Sequence, residues 1–280
     1  MSKIKDCFIS RYKDGFICEA DFSQLEVIYL AHITQDRQLI SDIKAGLDMH
    51  VVRAAELFGI PESAVSKAQR KVAKAFSFML QYGAGAAHMA EETGHKKETA
   101  ETFIKNYYLR YPRVKLWQQE NIHRVSTGGK PTVLKTPLGY PKMKSTLQSE
   151  TGRKYTFYSS DSPEWMKREG KNTTFKPTEI KNYPIQGGAT GDIVPMILGR
   201  INRWLVKSGY IDKCKLIATV HDSIVLDIHP DLIYTITNEV KRIMQSAPKL
   251  YEQNFGEVFD LDLNVEVTYG PSWGEQDNIA

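Results

Sequence analysis

The sequence predicts an α+β fold, with strands near both ends of the chain and helices between them. Three observations carry that prediction. A β-prone run occupies 15–23, strand-like runs return at 215–228 and 261–268, and the stretch 35–125 is patterned as helix. A length of 280 residues suits one large domain or two modest ones. Hydrophobic residues at 41% and charged residues at 25% exclude collagen-like, low-complexity and wholly disordered chains.

Taken in order, the first strand gives way to apolar residues at helical spacing, Leu25, Ile28, Tyr29 and His32, with Ser23 and Glu26 placed as a capping box and Asp21 at the junction. The helical stretch is punctuated at 59–61, 83–85, 94 and 111–112 by glycine and proline. From 126 to 184 the texture changes to Gly, Pro, Thr, Lys and aromatic residues, with short strands predicted at 132–134 and 155–158 and an exposed insertion at 161–176. After Pro184 the sequence predicts a long helix over 185–207. Two strands around a turn at His221-Asp222, a helix over 232–247 and a last strand complete the chain, without internal repeats.

Cys7, Cys18 and Cys214 lie far apart and lack the spacing of zinc sites or disulfide scaffolds, so they read as buried thiols in a reducing compartment. The opening residues lack the apolar run of a signal peptide, and no stretch reaches the ~20 apolar residues that span a bilayer. A soluble, cytoplasmic protein with no membrane partner is expected. The net charge of +4 leans towards a polyanionic partner without deciding the matter.

Two constellations carry chemistry. Asp21 and Asp222 each follow or interrupt a β-prone segment, and adjacent strands would bring them together as phosphoryl transfer by two metals requires. Taken singly, either aspartate reads more readily as a strand-end turn or a helix cap. Within 69–83, Arg70, Lys74, Phe78 and Tyr82 recur at every fourth position and share one helical face. Two cations followed by two aromatics can grip a triphosphate and stack on a sugar or base, although an amphipathic helix with solvated cations and core aromatics has the same spacing.

In this order the segments resemble the polymerase domain of family A (DNA polymerase I-like) DNA polymerases, especially the bacteriophage members. Asp21-Phe22-Ser23-Gln24-Leu25-Glu26 is similar to the family's motif A, Arg70 through Gly83 to motif B, and Val220-His221-Asp222 to motif C. Smaller agreements lie at Gly46-Leu47-Asp48-Met49-His50, Asn182-Tyr183-Pro184-Ile185-Gln186-Gly187 and Gly270-Pro271-Ser272-Trp273. The resemblance implies a polymerase palm with an antiparallel sheet and an inserted helical fingers subdomain: palm over 1–34, fingers over 35–125 and palm again over 126–280. It implies template-directed deoxynucleotidyl transfer to a primer 3′-hydroxyl in phage DNA replication, in the bacterial host cytoplasm if the chain is phage-encoded. Two Mg²⁺ ions would be held by Asp21, Asp222 and the backbone carbonyl of Phe22. His50, Arg70 and Lys74 would hold the phosphates of a deoxynucleoside triphosphate, Phe78 would pack on its sugar and Tyr82 would occupy the templating-base position. Glu26 would exclude ribose, and Asn182, Gln186 and His221 would contact the primer–template.

Departures from the pattern are Ser223 where many relatives have an acid, Ile28 in place of an arginine, and Thr178 at another arginine position. Only about twenty residues precede motif A, so thumb and exonuclease domains are expected to be absent, with a separately encoded N-terminal half as partner. Two competing readings remain at this point. One is a phage-type single-subunit RNA polymerase fragment, which His221-Asp222-Ser223 would suit and Glu26 and Phe78 oppose; the other is a non-catalytic DNA-binding subunit descended from a polymerase. A helix-rich metal phosphohydrolase would leave the fingers stripe unexplained.

Overall fold

Strand β1 (Phe16–Phe22) forms where β-branched and aromatic residues alternate with polar ones, burying Ile17, Cys18, Ala20 and Phe22. The computed structural model describes residues 4–81 and 83–278. Gln24, at φ 60°, turns the chain sharply into α1 (Leu25–Thr34), which buries the predicted Leu25, Ile28, Tyr29 and His32. The Gln24 carbonyl accepts the first helical bond, from the Ile28 N–H at 3.0 Å. Ser23 therefore stands one residue outside the N-cap position, and the expected Ser23–Glu26 capping box is displaced by that left-handed residue.

Helices α2 (Arg37–Lys44), α3 (Met49–Phe58), α4 (Lys67–Gln81), α5 (Ala86–Thr93), α6 (Lys97–Arg110) and α7 (Pro112–Thr127) follow. The predicted breaks are present: Gly59 and Gly94 close α3 and α5 at φ 64° and 67°, and Pro112 opens α7, while a further break at 45–48, between α2 and α3, was not predicted. The Asp36 carboxylate caps α2 through the Leu39 N–H at 3.0 Å and accepts from the Arg113 N–H at 2.9 Å, so one side chain fixes the starts of two helices. Arg110 ties α6 to Asp42 of α2 at 2.8 Å and to Glu56 of α3 at 2.7 Å.

A three-stranded antiparallel sheet comes next, in the order β2 (Lys130–Lys135), β3 (Pro141–Gln148), β4 (Lys154–Tyr158). Strand β3 was not predicted, because its lysines and glutamine leave one face polar and only pairing on both sides reveals it. The 161–176 insertion forms a small hairpin, β5 (Ser160–Asp161) with β6 (Thr173–Thr174), around the short helix α8 (Glu164–Arg168).

Helix α9 (Pro177–Gly188) contains Pro184 in its interior, whereas the sequence reading started a helix after that proline. Burial of Pro184 and Ile185 overrides the breaker signal. A π-helical turn, Ala189–Ile193, then leads into α10 (Val194–Lys207). Beyond it lie β7 (Cys214–Val220), β8 (Ser223–Ile228), α11 (Ile233–Gln245), α12 (Ala247–Phe255), β9 (Val265–Gly270) and β10 (Asp277–Asn278). The last strand starts later than predicted, and α12, with Pro248 in its first turn, was not predicted.

Contacts divide the chain into two units: Met1–Tyr29 with Gly187–Ala280, and Leu30–Gln186. The first, the sheet unit, is built on a five-stranded antiparallel sheet ordered β10-β9-β1-β8-β7, with α11 packed on β1 and β9 through Ile236, Val240 and Met244. The second, the helical unit, has Met49, Val52, Phe76, Met89 and Phe103 at its centre, and a satellite core of Val125, Tyr155, Phe157, Phe175 and Ile180 beside the smaller sheet. Cys18 and Cys214 are buried as expected. Cys7 is exposed, because it ends a 3₁₀ turn that buries nothing. Among the described residues no helix is long and apolar enough to cross a membrane.

Candidate active site

Strand pairing brings the two aspartates together. Because β1 lies between β8 and β9, Asp21 faces Ser223 on one side and Glu266 on the other. The β7–β8 hairpin closes through His221-Asp222, with Val220 paired to Ser223. Asp222 is thus adjacent in sequence to the cross-strand partner of Asp21. His221 makes this tight turn possible by adopting φ 55°, a conformation that costs a non-glycine residue free energy. Glu19, Asp21, His221, Asp222, Glu266 and Thr268 line a cleft of ≈ 350 Å³, together with Val220 and Ser223.

Its electrostatics are those of excess negative charge. Burial first, and then the charges of Asp222, Glu19 and Glu266, together push the Asp21 carboxyl up to about 6 against the opposing pull of His221. Burial also raises Asp222, opposed by a backbone hydrogen bond and by His221. Glu26 is raised by burial and then by Asp222, which places it within electrostatic reach of the same carboxylates. Phe22, the other predicted site residue on this strand, buries its side chain in the core.

Sequence reasoning missed Glu19 and Glu266. Glu19 lies two residues before Asp21, on the same face of β1. The Ser223 hydroxyl donates to one of its oxygens at 3.0 Å, while the Trp273 indole N–H donates to the other at 2.7 Å and Lys5 approaches it at 3.3 Å. Ser223, where an acid was expected from the resemblance, is therefore hydrogen-bonded to a carboxylate on the neighbouring strand. Only the register exposes this, since no local pattern marks either glutamate.

In the helical unit, α4 turns Ala73, Phe76, Ser77 and Leu80 inward and leaves Lys74 and Phe78 exposed, Phe78 at 44%. Phe78 is thus not a core aromatic. Lys74 Nζ lies 5.7 Å from the Phe78 ring centroid, and the His50 ring lies 6.1 Å from it. Arg70 pairs with Asp48 at 2.7 Å, and Asp48 in turn caps α3 by accepting from the His50 and Val51 N–H groups at 3.0 and 3.2 Å. The structure therefore gathers His50, Arg70, Lys74 and Phe78 around one exposed surface of α3 and α4. Burial and then the Arg53 charge push His50 down to about 4, with Arg70 and Lys74 adding to the effect and Asp48 opposing it. At neutral pH this histidine is a neutral hydrogen-bonding group, and its buried Nδ1 has no partner among the described residues.

Tyr82 lies outside the described residues. Beyond it, Gly83 adopts φ 81°, and a Cβ there would meet the Thr178 backbone at 2.9 Å, so only glycine fits at the end of α4. Asn182 and Gln186 occupy one face of α9 at i and i+4 spacing. The buried Oδ1 of Asn182 has no hydrogen-bond partner among the described residues.

This fold is that of a polymerase domain. It superposes on the POL domain of Pol1 from M. smegmatis, solved in complex with DNA primer-template and dNTP, with a TM-score of 0.69 and 23% identity over 97% of this chain and 42% of that one. The chain belongs to DNA polymerase family A, whose model matches residues 1–275. It is similar to DNA polymerase I of Pseudomonas aeruginosa, 29% identical over 98% of this chain and 26% of the relative. It is similar as well to a DNA polymerase of Bacillus phage SP01, 29% identical over 98% of this chain and 28% of the relative. It thus spans roughly a quarter of the length of these curated relatives.

Proposed function

We propose that this chain carries the catalytic portion of a DNA-directed DNA polymerase that transfers deoxynucleotides to a primer 3′-hydroxyl in phage DNA replication. The observation that carries the reading is the cleft of the sheet unit, where antiparallel pairing assembles Asp21 and Asp222 from opposite ends of a family A chain. In this reading 1–34 and 126–280 form the palm, and 35–125 the fingers.

The donor set suits Mg²⁺. Among the described residues no three His, Cys, Asp or Glu side chains group as a metal cage. Mg²⁺ is commonly held by one or two carboxylates together with substrate phosphates, and the raising of the Asp21 carboxyl by burial and by its acidic neighbours marks a site short of positive charge. Asp21, Asp222 and the Phe22 carbonyl would hold two such ions, which would supply the charge that activates the primer hydroxyl and neutralises departing pyrophosphate.

The chain's own residues supply the rest. Lys74 and Arg70 bind the triphosphate, and Arg70 exchanges its bond to Asp48 for phosphate oxygens as it does so. Neutral His50 donates a hydrogen bond rather than a charge. Phe78 offers an exposed ring to the sugar, and Tyr82 takes the templating-base position until the nucleotide arrives. Glu26, half-buried near Asp222, closes the space that a 2′-hydroxyl would need. Asn182, Gln186 and His221 contact the primer–template. The attack on the α-phosphate is then in line, with positioning and fixed charge as the sources of rate.

Primer extension by the purified chain with Mg²⁺ and the four deoxynucleoside triphosphates tests this. Template-directed elongation that Asp222→Asn abolishes in a folded protein supports the reading. Elongation by that variant at the wild-type rate contradicts it.

A further inference from the structure

Helices α10 and α11 of the sheet unit enclose a groove of ≈ 160 Å³ that is separate in its residues from the carboxylate cleft. Arg200, Arg203, Trp204 and Lys207 line it from α10, and Glu239, Arg242 and Ile243 from α11. On α10 the spacing i, i+3, i+4, i+7 puts all four side chains on one face, flanking the buried Ile197, Ile201 and Leu205. Glu239 is engaged by the Arg242 guanidinium, with one bond at 2.7 Å, and also interacts electrostatically with Arg200. Arg203 and Lys207 form no hydrogen bond or ion pair among the described residues. The groove therefore concentrates three net positive charges on a chain whose whole excess is +4.

Like charges held close without counter-charges are costly unless an anion offsets them. Gly199 adds to the design: a Cβ there would sit 3.3 Å from Arg203 Nη1, and its absence leaves the guanidinium room to lie back along the helix. From Arg200 to Lys207 the helix rises about 10 Å. Three cations over that span can reach three successive phosphates, which is two backbone steps. Trp204, half-buried and packed edge-on against Tyr210 at 5.8 Å, supplies an aromatic surface among the guanidinium groups. A volume of this size takes one base-sized group. Cations that track a backbone beside a fixed aromatic are the features that hold single strands without reading sequence.

We propose that this groove binds single-stranded nucleic acid, with Arg200, Arg203 and Lys207 on successive phosphates and Trp204 against a base. A segment of single strand thereby has a holding point built from residues other than those of the nucleotidyl-transfer site. The inference rests on the polymerase reading for the choice of nucleic acid over an acidic protein segment.

The test is the binding of a fluorescein-labelled oligothymidylate across a salt series, for the wild type, for Arg203→Ala/Lys207→Ala and for Trp204→Phe. The double variant is expected to lose about tenfold or more in affinity at low salt and to show a salt slope shallower by about 1.4, the value for two lost single-strand phosphate contacts. Tryptophan quenching on binding is expected in the wild type and is diminished in Trp204→Phe. An unchanged slope in the double variant overturns the proposal. So does tight binding of polyglutamate that the double variant loses while oligothymidylate binding is unaffected. The same variants should extend a saturating primer–template at the wild-type rate. A wild type that fails to extend primers while the salt slope responds as expected removes the polymerase reading and leaves the groove standing.

Discussion

The carboxylate cleft is drawn from four strands at opposite ends of the chain, whereas the cationic surface is drawn from one helix and its neighbour. Their electrostatics differ in the same way. Around Asp21 the side chains are mostly acidic, and after burial their charges raise its carboxyl, with only His221 opposing. Around Arg70 the protein supplies its own counter-charge through Asp48, and His50 stays neutral. The sheet unit thus leaves its carboxylates short of positive charge, and the helical unit pairs one of its cations internally. In the proposed reading the first would take cations on strands fixed by long-range pairing, and the second a mobile anion on a helix surface.

Removing a cation from the helical surface should have the largest effect short of removing an aspartate. Lys74→Ala is expected to raise KM for deoxynucleoside triphosphates about 100-fold, the loss of a charge-assisted phosphate contact, with less change in the fold than in binding. Steady-state incorporation with a melting curve on the same preparation checks both. Glu26→Ala should then lower discrimination against ribonucleotides about tenfold, measured as the ratio of kcat/KM for the two sugars. A ratio equal to the wild type's would detach Glu26 from the sugar.

The smallest effect sharpens the electrostatic contrast. The Asp21 carboxyl is raised to about 6, above its unfolded value, so the metal-free fold is favoured by its protonation. That contribution is complete below about pH 4 and is lost as pH rises through 6. Mg²⁺ should therefore raise Tm by a few degrees at pH 7.5 and by little at pH 5, when compared with a chelated sample. The metal-free sample should also lose stability between those values. Asp21→Asn should flatten both trends, while Lys74→Ala should alter neither.

How much of this the sequence reveals follows from the same contrast. The face holding Arg70, Lys74 and Phe78 is legible because a helix repeats every fourth residue and the opposite face is apolar. The spacing alone leaves Phe78 open as a core aromatic, and its exposure against the burial of Phe76 is decided by the fold. The pairing of Asp21 with Asp222 is legible only through family motifs, since nothing local to either residue specifies a partner two hundred positions away. Glu19 and Glu266 escape notice because they enter the cleft by register, and the Ser223–Glu19 bond needs both strands in place. Strand β3 and the helix running through Pro184 are tertiary decisions, made by pairing and burial against weak or contrary local signals.

Single-turnover nucleotide incorporation by Asp21→Asn, Asp222→Asn and the double variant bears most directly on the claim that these two carboxylates act as one unit. If they do, each single change removes nearly all of the rate, by about 10³-fold or more, and the double variant is scarcely worse than either. Losses that multiply in the double variant would mean that the aspartates act independently, and would contradict the cleft as a joint site.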